Sequence, residues 1–220
     1  MTGKPGRIGV LGGTFDPVHN GHLALAAAGL REFNLDKVFF VPAGRPPHKL
    51  DDPVTPFHHR AIMLELALAA CPAFFLDRME KKRPGPSYSV DTLRELRERL
   101  GWDCALYFII GSDAFANITT WKDFNDLFRY ADFLVAERPD TAPGRLDDLL
   151  SQQSGFQQDR INNCWRHPLG ARLHPLPVDA LPISATTTRH RIQAGESIQD
   201  LVPAPVNAYI QQNHLYGASR

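Results

Sequence analysis

Cysteine is scarce in this chain, since Cys71, Cys104 and Cys164 stand far apart and form no Cys-x-x-Cys pair. An odd, scattered set is no disulfide framework, and the residues read as reduced thiols of a cytoplasmic protein. Net charge is lacking too. Lys plus Arg balance Asp plus Glu at 24 each, which excludes a global field that would gather nucleic acid or an acidic membrane surface. Any phosphate recognition must therefore be local. No apolar run approaches the ~20 residues that span a bilayer. The opening MTGKPGR leads to a strand without the roughly 7–15 apolar residues of a signal peptide. A soluble, cytoplasmic chain with no nucleic-acid and no membrane partner is expected, and a homo-oligomer remains open. The Walker pattern, a Gly-rich loop ending in Lys and Ser or Thr, is absent from the turn after the first strand, which argues against a plain P-loop NTPase.

What is present is an alternation of short apolar runs with stretches of helical period. Strands are expected at Arg7 to Leu11, Val38 to Val41, Phe74 to Leu76, Leu106 to Ile110 and Phe133 to Val135. Helices are expected at Gly21 to Glu32, His58 to Ala70, Ser89 to Leu100, Asp123 to Tyr130, Ser184 to Gln193 and Pro205 to Gln212. Ser89 or Asp91 would cap the third helix, and Gly101 would stop it. This pattern predicts an α/β fold with a doubly wound parallel sheet. A chain of 220 residues can bury roughly 70% of its unfolded surface, and one domain over 1–220 is expected, with a helical segment at about 184–216 packed on it. The stretch from Arg138 to Pro182 shows no regular pattern, and EKKRP at 80–84 reads as a solvated turn.

The densest chemical signal is GGTFDPVHNGH at 12–22. Gly12 and Gly13 end the first strand without a Cβ, so a phosphate can come close to the backbone. Asn20 and Gly21 open a helix, placing His19 and His22 on either side of its start, where imidazoles can meet an anion. Helix N–H groups and imidazole donors suit attack on a phosphoryl group, because both stabilise charge spreading over phosphate oxygens. By spacing alone the two histidines could equally cap or pack. A zinc site drawing on His48, His58 and His59 lacks a matching Cys or carboxylate pattern. The unusual residues Pro42 to Lys49 and Gly111 to Asp113 also follow strands, and in open α/β sheets the crevice outside the carboxyl ends is where ligands bind. Asp113 could accept from ribose hydroxyls or cap a helix. Asp16 before Pro17 reads as structural, in an Asx-type turn, or as a support behind a ligand-binding residue.

The run GGTFDPVHNGH resembles the HxGH-type signature of the nucleotidyltransferase superfamily, and its GGTFDP form resembles bacterial nicotinate-nucleotide adenylyltransferases. The similarity recurs in order at PPHK 46–49, PSYSVDTL 86–93, FIIGSD 108–113, TTW 119–121 and ISATTTR 183–189. It implies a Rossmann-like nucleotidyltransferase fold in which Gly12, Gly13, Thr14 and Phe15 line the ATP site. His19 and His22 would bind the ATP phosphates and stabilise charge at the reacting α-phosphate. By the same resemblance Ser184, Thr186 and Arg189 grip the triphosphate at a helix N-terminus, Gly111 and Asp113 meet the adenosine, and Lys49 follows the moving phosphate. Trp121 would stack on the pyridine ring of the mononucleotide while Ser87, Tyr88 and Ser89 offer backbone N–H groups to its carboxylate. Ala185, Thr188, Ser89 and Lys122 depart from the commoner family residues.

The function this implies is transfer of AMP from ATP to nicotinate mononucleotide, giving nicotinate adenine dinucleotide and pyrophosphate in NAD biosynthesis. Mg2+ is expected as cofactor, bound mainly through the ATP phosphates. His19, His22, Lys49 and Arg189 are the expected catalytic residues. The alternatives are a relative using nicotinamide mononucleotide or phosphopantetheine, or a nucleotide-binding regulator without catalysis.

Overall fold

Strand β1, Arg7–Gly13, lies between two parallel neighbours, β2 (Lys37–Pro42) on one side and β4 (Ala105–Gly111) on the other. Its apolar residues flanked by Gly suit a strand covered on both faces. The computed structural model describes residues 6–47, 53–136, 150, 155–178 and 182–217. Beyond β2 lies β3 (Phe74–Leu76), and beyond β4 lies β5 (Asp132–Ala136), so the strand order opens 3-2-1-4-5. The order reverses between β1 and β4. That reversal is the switch point where a crevice opens at the carboxyl edge of a doubly wound sheet.

Alternation along the strands sorts the core into two layers. Leu106, Phe108 and Ile110 of β4 and Phe133 and Val135 of β5 join one cluster, with Tyr107, Ile109 and Leu134 in the other. The second layer is completed by helices α1 (Asn20–Phe33) and α2 (Phe57–Leu68). The first is completed by α4 (Ser89–Leu100) and α6 (Phe124–Tyr130). The short helices α3 (Met79–Lys82) and α5 (Ser112–Ala116) follow β3 and β4. Near the C-terminus α7 (Ala185–Gln193) and α8 (Ala204–Gln212) place Ile192, Val206 and Ile210 in the same layer as α1 and α2. Among the described residues no helix is long and apolar enough to cross a membrane.

The expected strands and six helices are present within one or two residues at each end, and three of the sequence expectations need correcting. The expected doubly wound parallel sheet carries further strands: β8 (Arg172–Leu176) extends it parallel to β5, and then β7 (Cys164–Arg166) and β6 (Gln157–Asp159) close the edge antiparallel. These strands lie inside the stretch read as irregular. Their signal is weak because β6 is the polar, largely exposed Gln-Gln-Asp and Pro175 interrupts β8. Neither Ser89 nor Asp91 caps α4. Tyr88 is its N-cap in an extended conformation without a side-chain bond, and Asp91 pairs instead with Lys122 and Arg94. Finally, Glu80 of the supposed solvated turn is buried.

Candidate functional site

The loop after β1 is shaped residue by residue. Gly12 and Gly13 pair with Val41 and Pro42, extending the strand past its apolar core. Phe15 then turns into the left-handed region at φ 51, and the Asp16–Pro17 peptide is cis. His19 follows as an extended N-cap, so α1 begins at Asn20 and His22 occupies its third position. The two imidazoles stack with ring centroids 3.6 Å apart, and His22 also meets the Phe15 ring edge-on at 4.8 Å.

The Nδ1 of His22 accepts the backbone N–H of His19 at 3.2 Å. A nitrogen that accepts carries no proton, so in the neutral ring the proton sits on Nε2. Burial, reinforced by the neighbouring His19, holds the His22 imidazole well below the usual histidine range. At neutral pH His22 is therefore a neutral Nε2–H donor beside the first turn of a helix. The positive end of the helix dipole adds to its pull on an anion.

A second helix start arrives from the far end of the chain. Ser184 caps α7, its Oγ accepting the Thr187 N–H at 3.0 Å, and Thr188 turns its hydroxyl inward to the Ser184 carbonyl. Where the two helix starts adjoin, Gly21 leaves room for the His19 ring: a Cβ there would lie 3.1 Å from His19 Nδ1, with the Ile183 carbonyl at an ordinary contact distance of 3.7 Å. Arg189 crosses between them, one Nη donating to the Asp16 carbonyl at 2.8 Å and the other reaching Thr186 Oγ1 at 3.4 Å. Three of its five N–H groups remain without a partner among the described residues.

The loop itself is bolted from below. Asp16 is buried, its carboxylate accepting the Tyr216 hydroxyl at 2.6 Å and the Thr55 N–H at 3.1 Å. It is held by these long-range contacts rather than by the expected local Asx turn. Arg60, only 2% exposed, donates to the carbonyls of Thr14, Ala43 and Thr55 at 2.7, 2.8 and 2.9 Å. Burial pulls its guanidinium below its ordinary value, opposed by the attraction of Asp16.

On the other side of the switch point Trp121 stands edge-on to Phe108 at 6.4 Å, and a Cβ on Gly12 would touch the same Phe108 ring at 3.7 Å. Trp121 thus continues the surface that β1 ends on. Lys122 lies 4.8 Å above the Tyr88 ring and 3.1 Å from Asp91. Ser87 is engaged already: its Oγ accepts the N–H groups of Gly44 and Arg45, and its own N–H donates to the Arg45 carbonyl. Thr92 donates to Glu80, and burial raises the Glu80 carboxyl against the pull of its Thr92 and Ser87 hydrogen bonds. The N–H groups of Ser89 and Val90 at the start of α4 have no intrahelical acceptor, whereas those of Asp91 and Thr92 donate to the Tyr88 carbonyl. Asp113 is exposed on the first turn of α5 just after Gly111. Lys49 and its neighbour His48 lie outside the described residues.

Arg60, Tyr216, Thr55 and the Glu80–Thr92 pair are missing from the residues singled out in the sequence. Arg60 had a signal, because it occupies the buried stripe of α2 with Met63, Leu64 and Ala67. An Arg in an apolar stripe must find buried acceptors. Tyr216 had none.

Residues 10–191 match the cytidylyltransferase-like family. A probable nicotinate-nucleotide adenylyltransferase of Moorella thermoacetica is 44% identical over 213 residues, covering 97% of this chain and 93% of that protein. One from Chromobacterium violaceum is 40% identical, covering 96% and 98%. Among solved structures, Plasmodium falciparum nicotinic acid mononucleotide adenylyltransferase complexed with NaAD superposes with a TM-score of 0.73 at 21% identity, covering 97% of this chain and 98% of that one. A likeness at that identity bears on the fold, which it shares.

Proposed function

The chain belongs to the cytidylyltransferase-like family and, within it, to the nicotinate-nucleotide adenylyltransferases, and from that membership we propose how its own residues carry out the reaction. AMP passes from ATP to nicotinate mononucleotide, forming nicotinate adenine dinucleotide and pyrophosphate. The mononucleotide 5′-phosphate is already anionic, so its oxygen attacks the α-phosphorus in line as the bond to the bridging oxygen breaks and pyrophosphate leaves. No protein nucleophile or general base is required, and catalysis is positioning plus stabilisation of spreading charge.

The observation that carries this reading is the convergence, at the carboxyl edge of β1, of His19, His22, Arg189 and the starts of α1 and α7. His22 offers Nε2–H to an α-phosphate oxygen, and Arg189 has N–H groups left for the triphosphate. Gly12, Gly13, Thr14 and Phe15 shape the floor, with Ser184 and Thr186 at the α7 start. Gly111 and Asp113 are read as the adenosine side, across the switch point. Lys49 is kept as a phosphate ligand on the resemblance alone. Among the described residues no three His, Cys, Asp or Glu side chains converge. Mg2+, if bound, would be held mainly through the phosphate oxygens of ATP and would neutralise their charge. We read the chain as one domain working in the cytoplasm.

Trp121 and the start of α4 are read as the pyridine pocket. Because Ser87 is bonded to the Gly44–Arg45 loop, the donors to the pyridine carboxylate are assigned to Tyr88 and Ser89, with Ser87 fixing the loop beside them. Backbone N–H groups only donate, so the amide analogue must leave one donor unpaired, a cost of about 1–3 kcal/mol or roughly tenfold to a hundredfold in kcat/KM. The test is pyrophosphate release from ATP with nicotinate or nicotinamide mononucleotide, in wild type and Trp121→Ala. The acid should be preferred, and the variant should weaken both substrates without changing their ratio. Equal wild-type values would refute the carboxylate pocket.

A further inference from the structure

The last described turn of the chain, Leu215–Gly217, packs on α7 and returns to the loop after β1. Tyr216 sits there at φ 61, and Phe15, next to its partner Asp16, sits at φ 51. Left-handed backbone is uncommon for aromatic residues and persists where surrounding contacts determine it. Those contacts are on both sides of one hydrogen bond, from the Tyr216 hydroxyl to Asp16 Oδ1 at 2.6 Å. On the other side of the same residue, the Asp16 carbonyl accepts the Arg189 guanidinium at 2.8 Å. Burial and the Asp16 charge both push the Tyr216 phenol up, so its oxygen keeps the proton that it donates.

We propose that Tyr216 is a positioning residue for nucleotide binding: its hydroxyl fixes Asp16, and the Asp16 carbonyl in turn holds the Arg189 guanidinium at the angle at which its remaining N–H groups meet the triphosphate. This rests on the adenylyltransferase reading of the same site. The phenol is turned to Asp16. It acts through the peptide between β1 and α1 and through α7, and so joins the C-terminal turn to the phosphate side of the site rather than to the pyridine side.

The experiment measures affinity for a non-hydrolysable ATP analogue by calorimetry, beside steady-state kinetics, well below the melting temperature of each variant. Tyr216→Phe keeps the ring and removes one bond to a charged acceptor. It should weaken analogue binding and raise KM for ATP by about fivefold to tenfold, leaving KM for the mononucleotide within about twofold. In an Arg189→Lys background the same change should have little further effect, because neighbours acting as one unit are not additive. Asp16→Ala removes the acceptor of the Tyr216 hydroxyl and should reproduce the pattern if Tyr216→Phe folds poorly. Unchanged analogue affinity in Tyr216→Phe, a full-sized effect in the Arg189→Lys background, or an equal rise in KM for the mononucleotide would each overturn the proposal. The expected binding pattern without pyrophosphate release from nicotinate mononucleotide would support the role of Tyr216 and overturn the assigned reaction.

Discussion

His22 owes its chemistry to two contacts, the His19 N–H on Nδ1 and the burial that keeps the ring neutral. A neutral imidazole with its proton on Nε2 donates to a phosphate oxygen without having to lose or gain a charge during turnover. His22→Ala should lower kcat on the order of a hundredfold or more, the scale of losing one donor aimed at transition-state charge. The same variant tests the protonation state. The unfolded chain binds a proton at His22 as pH falls through about 6.5, whereas the folded chain resists until well below it, so this residue costs stability as the medium is acidified. Between pH 8 and pH 5 the melting temperature of the wild type should therefore fall further than that of His22→Ala. The other histidines held low by burial, His59, His167 and His174, are common to both proteins. Parallel melting curves would show that the ring is not held neutral.

At the scale of elements, what matters is how closely two helix starts approach. Separately, the starts of α1 and α7 are ordinary caps; brought together, they aim two positive dipole ends at one region. Gly21 makes room for the His19 ring at this junction, since a Cβ would fall 3.1 and 3.2 Å from its ring atoms. Ala is the better helix former by about 1 kcal/mol, so Gly21→Ala pits helix propensity against site geometry. The expected outcome is a folded protein of near-wild-type melting temperature whose kcat falls by roughly tenfold to a hundredfold, because the His19 ring must shift. Full activity would mean that the placement of the His19 ring is not critical.

At the scale of the whole molecule, the site is assembled by residues distant in sequence. Arg60 joins Thr14, Ala43 and Thr55, Tyr216 reaches back to Asp16, and Ser87 holds Gly44 and Arg45. Three carbonyls facing one buried guanidinium would be orphaned together by Arg60→Met, which fills similar space without donors. Each orphaned acceptor costs about 1–3 kcal/mol, and a loss of at least about 2 kcal/mol in urea unfolding is expected, with the slope unchanged. A smaller loss would indicate that water replaces the guanidinium and that the cross-link is incidental.

These contacts also divide what is legible in the chain from what is not. Local order in the sequence was enough for β1 through β5 and six helices, because apolar period and Gly or Pro breaks act over a few residues. It was enough, too, to place His19 and His22 at the start of α1, since a glycine turn and a helix start are local events. The antiparallel β6–β7 edge escaped because its polar, short strands are stabilised by their neighbours rather than by their own pattern. Burial of Glu80 and the chain of bonds from Tyr216 to Arg189 were decided by tertiary structure alone. Each depends on which groups lie within about 3 Å of one another across the fold, and a hydrogen bond between residues 16 and 216 leaves no period or spacing by which either residue announces the other.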